Sequence, residues 1–460
     1  MGDHDAGAAA DGARSEAIRV VVRSRPLTGA EQERGDQVAV RCGEDGCTVE
    51  VVEDTSAGSV VHQRGVSQKG VKYLLDRIVA PDAGQGAFFD QSGIKPLLLS
   101  ALEGYAGTCF AYGQTGSGKT YSLIGAESIV DKLDQKSSES DGLLSRSVKF
   151  IFSEIKRRLG AAFEVEVCYA EIYQERVRDL LSASDAPCKV KWNPHKGYFV
   201  DGLTTVACAS KSDVMRAFCQ GYRRTRIAGH GMNARSNRSH CMFTVHVHAA
   251  PGGGEGGAPP AGTLDAPQKR HGRLCFVDLA GSERQRDTGA TGAVLAESGQ
   301  INKSLFTLGK VISSLSRLSR KGKGGAEVVP YRDSTLTKLL SSSLGGTCKT
   351  LMIACCSSSA AHVPETLRSL EFASRAKNVR NRPVVVLDPK EALIQELRGE
   401  IARLRRANQE LSVDLRGLRE SSAGALLGAA PHGGQRPGRG ARAPGSGSHA
   451  EEEEEEEGQE

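Results

Sequence analysis

The chain contains no run of about 20 apolar residues, the length a membrane-spanning helix needs, so no span is expected. Its first stretch, Met1 to Glu16, is polar and rich in Ala and Gly, with no apolar signal-peptide core. Twelve cysteines are present, but they form no Cys-x-x-Cys pair and follow no regular spacing along the chain. Without a secretory signal they are expected to be reduced, mostly buried small hydrophobes, and the expected compartment is the cytosol. Against these absences, 39% of the 460 residues are hydrophobic, enough for a large core. The net charge is +5, yet residues 450–460 alone carry eight Glu and no Lys or Arg, which leaves the rest near +13. A basic body suits a polyanionic partner, for which nucleic acid is the generic candidate.

The strongest local signal is Gly-Gln-Thr-Gly-Ser-Gly-Lys-Thr over Gly113, Gln114, Thr115, Gly116, Ser117, Gly118, Lys119 and Thr120. It follows a short apolar strand, Thr108 to Tyr112, and a helix is expected to begin at about Lys119. A strand that ends in a Gly-rich turn and opens a helix aims backbone N–H groups and the helix dipole at one point, where phosphate is held. Lys119 would reach the β- and γ-phosphates, and the Thr120 hydroxyl would ligate Mg²⁺. The spacing therefore predicts a nucleoside triphosphate site.

Further motifs say which nucleotide machine this is. Asn233-Ala-Arg-Ser-Asn-Arg-Ser-His240 resembles the NxxSSRSH first switch of the kinesin superfamily, and Asp278-Leu-Ala-Gly-Ser-Glu283 matches its second switch throughout. Ile301-Asn-Lys-Ser-Leu305 resembles the helix after that switch, and Val329 to Leu340 and Glu365 to Asn378 resemble the last motor helices. Gly104 to Tyr112, leading into the phosphate loop, belongs to the same pattern. The resemblance runs from about Ile18 to Pro389 in the family's order. It implies an α/β fold, the P-loop NTPase kinesin motor, with a central mixed sheet flanked by helices on both faces and followed by a short coiled-coil neck.

The resemblance implies an ATP-driven, microtubule-stimulated ATPase that moves toward the plus end, located in the cytoplasm on the microtubule cytoskeleton. It replaces nucleic acid with the acidic microtubule surface as the partner. ATP and Mg²⁺ are the implied cofactors. Thr120 would hold the metal directly and Asp278 through water; Gly281 would sense the γ-phosphate through its N–H. Arg238 and Glu283 correspond to the pair that closes the switches, and Ser236 would help to place the attacking water. Arg23, Arg25 and Pro26 match the family's adenine-side contact, and Tyr121 stands where an aromatic ring stacks on the base. Two positions depart from the pattern. Asn237 replaces the second Ser of the first switch; its amide oxygen is a hard metal ligand that can substitute, but its length is expected to slow closure. Ala106 replaces an Asn common in the turn before the phosphate loop, a change of local hydrogen bonding.

Candidate microtubule contacts cluster at the second-switch helix and beyond, at Lys303, Lys310, Arg317, Arg320, Lys321, Lys323, Arg332 and Lys338, and at Lys189, Lys191 and Lys196. The expected organisation is a disordered stretch over 1–16, a motor over 17–380 and a neck linker over 381–390. A short coil over 391–419 and a disordered tail with an acidic run over 420–460 complete it. Ile394, Ile401, Asn408 and Leu415 alternate with Leu397, Leu404, Leu411 and Leu418 at heptad spacing, which suits a parallel homodimer in register.

Overall fold

The computed structural model describes residues 15–52, 70–126, 138–158, 162–194, 197–227, 238–249, 269–283, 293–321, 328–386, 397, 399–413 and 415. Ser236, Asn237, Lys196, Lys323, residues 1–14 of the first expected segment, all of the last, Ile394 and Leu418 lie outside them, as does the side chain of Lys321. The chain divides into two units, residues 1–392 and 393–460.

Nine strands build the central sheet of the first unit. In chain order they are β1 (Arg19–Arg25), β2 (Arg77–Val79), β3 (Ala106–Tyr112), β4 (Phe163–Tyr173), β5 (Arg176–Asp179), β6 (Val206–Ala207), β7 (His240–Ala249), β8 (Arg270–Asp278) and β9 (Lys349–Ser357). Their spatial order is β6-β4-β7-β8-β3-β9-β1-β2, with β5 paired to β4. The strands from β8 to β2 run parallel, while β7 pairs antiparallel with β8 and β4. This is the expected mixed sheet.

Alternation along the strands splits the core in two. Cys109, Ala111, Leu351, Ile353, Leu274 and Phe276 face one side, and Phe110, Met352, Ala354, Cys275 and Val277 face the other. The first side is covered by helices Ile94–Leu102, Leu143–Arg157 and Lys211–Ile227. The second is covered by Ala293–Lys321, Thr335–Leu339 and Val363–Ala376. Central strands buried on both faces read as near-continuous apolar runs, as β1 (Val20, Val21, Val22) and β9 do. Among the described residues no helix is long and apolar enough to cross a membrane.

The two ends of this unit are tied together by a small antiparallel pair, Glu16–Ala17 with Arg380–Asn381. Asn381 is buried and its amide is fully used. Nδ2 donates to the carbonyls of Ser343 (3.0 Å) and Cys348 (2.7 Å), and Oδ1 accepts from Gly345 N–H at 2.8 Å. The following residues cross the amino-terminal ends of the central strands β9, β3 and β8. Val384 N–H donates to Thr347, Val386 N–H donates to Gly104 O (2.8 Å), and His271 N–H donates to Val386 O (2.8 Å). In the second unit, residues 399–413 are helical, with Ile401, Leu404 and Leu411 exposed.

Candidate nucleotide site

The phosphate loop leaves the carboxyl end of β3 between β8 and β9, where parallel α/β sheets place their ligands. Its first residue must be glycine. Gly113 has φ +151°, and a Cβ there would lie 2.2 Å from the Cys355 carbonyl. Gly116 (φ +75°) and Gly118 (φ +95°) are left-handed, and a Cβ at either would meet nothing within 4 Å. Lys119–Leu123 then forms the helix that opens at the predicted residue.

Lys119 is buried at 8% exposure, and its Nζ donates to Gln114 O at 2.9 Å. Burial lowers its pKa, opposed by the neighbouring charges of Asp278 and Glu283. Asp278, at the end of β8, accepts from Thr120 Oγ1 at 2.7 Å through Oδ2. Burial raises its pKa, and Lys119 and Thr120 hold it down. The second oxygen, Oδ1, is buried with no hydrogen-bond partner among the described residues. A hydroxyl and a half-satisfied carboxylate are hard oxygen donors that fit Mg²⁺, the carboxylate through a bound water. Among the described residues no cluster of three His, Cys, Asp or Glu side chains offers a competing metal site.

The second switch is bound to this loop. Ser282 N–H donates to Gly113 O at 3.1 Å. Glu283 accepts from Thr115 N–H (2.8 Å) and Thr115 Oγ1 (2.6 Å), one bond to each carboxylate oxygen. Gly281 sits against both: a Cβ there would fall 2.3 Å from Thr115 Oγ1 and from Glu283 Oε2. Arg238 lies at the end of the first switch, half-buried, while the hydrogen bonds of the Glu283 carboxylate go to Thr115.

On the expected base side the residues separate. Arg23 is buried, its guanidinium 4.2 Å from the Phe88 ring centre and 5.2 Å from that of Tyr121. It donates to Gln85 Oε1 (2.9 Å) and Ser122 Oγ (3.2 Å), so it braces Tyr121 from behind. Tyr121 is 46% exposed and offers its other face. Arg25 donates to Gly116 O at 2.6 Å and grips Glu31 with both terminal nitrogens. Glu31 is also the third residue of a capping box with Thr28; the Arg25 hydrogen bonds pull its pKa down to about 2. Pro26 follows Arg25 in the turn out of β1.

The expected polyanion-facing cations form a surface. Lys303, Lys310, Arg317 and Arg320 are exposed on Ala293–Lys321 at spacings that share one helical face. Phe306 lies in the same stripe, 65% exposed, with Lys310 Nζ 4.7 Å above its ring. The opposite face buries Leu305, Leu308, Val311 and Ile312. Arg332 is exposed beside it and Lys338 half-buried. Lys189 and Lys191 lie at the hairpin Val190–Asn193/Gly197–Val200, whose Val190 and Val200 pack on the same core, so both clusters share one side of the sheet. Lys191 pairs with Asp201 at 2.7 Å.

One residue of the first-switch motif received no role from the sequence. His240, the last residue of the first-switch motif, is 2% exposed and joins the second switch to the long helix. Nδ1 accepts from Ala280 N–H (3.0 Å) and Nε2 meets Ser304 Oγ (2.7 Å). A histidine opening an otherwise apolar strand was the available signal, since a buried imidazole needs partners.

Comparison with known proteins agrees with this architecture. The family description "Kinesin motor domain" matches residues 23–379. A kinesin-like protein of Caenorhabditis elegans, klp-20, is 36% identical over 402 residues, covering 86% of this chain and 56% of its own. The kinesin-like protein KIF12 of Mus musculus is 36% identical over 409 residues, covering 89% and 59%. The chain thus spans less than two thirds of these relatives. Among solved structures, a fast kinesin superposes with TM-score 0.67 at 34% identity, covering 81% of this chain and 94% of that one. A KIF14 dimer with AMP-PNP in complex with a microtubule gives 0.69 at 31% identity, covering 84% and 100%.

Proposed function

The chain belongs to the kinesin motor family, and from that premise we propose that it hydrolyses ATP to move along microtubules toward the plus end. The observation that carries this reading is Asp278, bonded to Thr120 through one oxygen and left with a buried, unpartnered second one beside Lys119. Phosphoryl transfer asks for positioning and charge stabilisation, and these residues supply both. Lys119 and the loop N–H groups hold the β- and γ-phosphates. Thr120 would hold Mg²⁺ directly and Asp278 through water, and the metal would supply neutralisation of charge on the phosphate oxygens. Tyr121 stacks on the base, with Arg23 behind it and Arg25 and Pro26 beside it.

Closure requires Glu283 to leave Thr115 and pair with Arg238, while Gly281 N–H meets the γ-phosphate and Ser236 orients water. Asn237 supplies its amide oxygen where the family has a hydroxyl. The movement passes to Ala293–Lys321 and on to residues 382–386, and the backbone bonds of these residues to Thr347, Gly104 and His271 support a neck linker that docks there. The cationic stripe and the hairpin lysines face the acidic microtubule. The helix over 399–413, with Ile401, Leu404 and Leu411 exposed and Asn408 on the seam, pairs with a second copy. These contacts put the protein on the cytoskeleton.

Asn237 favours a second reading, a nucleotide-regulated microtubule-binding protein that hydrolyses too slowly to move. Steady-state ATP hydrolysis with and without microtubules separates the two. Strong stimulation is expected of a motor. A rate that stays at its basal level at saturating microtubules would overturn the motor reading and leave the second.

A further inference from the structure

We propose that His240 is a positioning residue that transmits the state of the second switch to the microtubule-facing helix, through a tautomer fixed by its two partners. The proposal rests on the motor reading above and names a part of its coupling. Ala280 N–H can only donate, so Nδ1 must carry a lone pair; the ring's proton is then on Nε2, and it is donated to Ser304 Oγ. A charged ring would set Nδ1–H against Ala280 N–H. Burial, reinforced by the Lys119 charge, keeps the ring neutral.

The geometry makes this a rigid link. Ala280 lies between Asp278 and Gly281, in the segment that must move when the γ-phosphate is bound. Ser304 is 3% exposed on the inner face of Ala293–Lys321, next to Lys303 on its outer stripe. The imidazole is planar and stiff, anchored at the start of β7, where Cys241 is already paired with Asp278 of β8. A shift of the second switch at Ala280 is therefore carried across the ring to the helix. Substrate does not touch His240 in this scheme.

Three variants of the full chain test the link. Asn at 240 keeps an oxygen near the Nδ1 position for Ala280 but falls short of Ser304. Gln at 240 reaches Ser304 and loses Ala280. Ser304→Ala removes the hydroxyl that meets Nε2 and leaves the Ala280 bond in place. Ser304→Ala is expected to keep basal turnover and to lose microtubule stimulation by on the order of ten-fold, the scale of a site–site coupling. His240→Asn and His240→Gln should lose stimulation to the same degree, and adding Ser304→Ala to His240→Asn should cost nothing more.

Hydrogen exchange of residues 293–321 without microtubules reads the link independently. A non-hydrolysable ATP analogue should change protection there in the unmodified chain and not in His240→Asn or Ser304→Ala. Stimulation and exchange response retained in both single variants would overturn the proposal, as would fully additive losses. If the unmodified chain shows no stimulation, the motor reading fails, and the exchange response alone still decides the link.

Discussion

The two ends of this machine are built by opposite rules. Around the phosphate loop, Lys119, Asp278, Glu283 and His240 each have named partners at 2.6–3.0 Å, with Lys119 and His240 buried and Asp278 and Glu283 half-buried. Along the outer face of Ala293–Lys321 the cations stand exposed, and their spacing rather than any one bond makes the surface. Charges in a buried network are strongly coupled, and removing one strands its neighbours. Exposed charges act through their sum and are screened by salt. Single substitutions should therefore be severe at the first site and mild at the second.

The sharpest break of that contrast is Lys119→Ala. It removes the side-chain cation proposed to meet the β/γ-phosphates and leaves half-buried Asp278 without a neighbouring positive charge, so ATP binding should be lost. Equilibrium binding of a fluorescent ATP analogue checks this, and unchanged affinity would refute the site. Next in size, Glu283→Ala should leave ATP affinity within a few-fold and stop turnover, because the loop stays intact while closure loses its carboxylate. A rate equal to or above that of the unmodified chain would contradict the closure scheme.

How far these parts were legible follows from how local they are. The phosphate loop is one contiguous string, and its strand-turn-helix setting stands where the spacing placed it. The strand is longer than its apolar run, however, beginning at Ala106 because Ala106 and Gly107 pair with Arg273 and Leu274. Pairing partners that far away leave no local trace. The same holds for Thr115 with Glu283, 168 positions apart, and for His240 with Ala280, 40 apart. Arg23 illustrates the limit: the resemblance assigned it to the base side, but Phe88, Gln85 and Ser122, which determine where the guanidinium lies, come from separate elements. The cationic stripe was legible as composition, and only the helix face shows that Phe306 belongs to it.

Smaller effects should separate the two regions further. Replacing Arg317, Arg320 and Arg332 together by Ala should weaken microtubule binding and flatten its salt dependence, with basal turnover unchanged, while each alone costs a few-fold at most. Co-sedimentation across a salt series measures this, and binding indifferent to ionic strength would exclude the patch. The smallest effect expected is on stability. His240 is pushed down to about 3 by burial and the Lys119 charge, whereas a free imidazole takes its proton near about 6.5. The unfolded chain therefore binds a proton that the folded one refuses. Stability from this group is complete above about pH 6.5 and declines as pH falls toward 3. Melting temperatures at neutral and mildly acidic pH should diverge less in His240→Asn than in the unmodified chain. An identical pH slope would argue against a neutral, buried His240.

The central claim is that the buried nucleotide site governs the exposed cationic face. Co-sedimentation with microtubules, in AMP-PNP and in ADP at one fixed salt concentration, tests it most directly. The account predicts markedly tighter binding in AMP-PNP, with the difference abolished by Glu283→Ala. Equal affinities in the two nucleotides would contradict it.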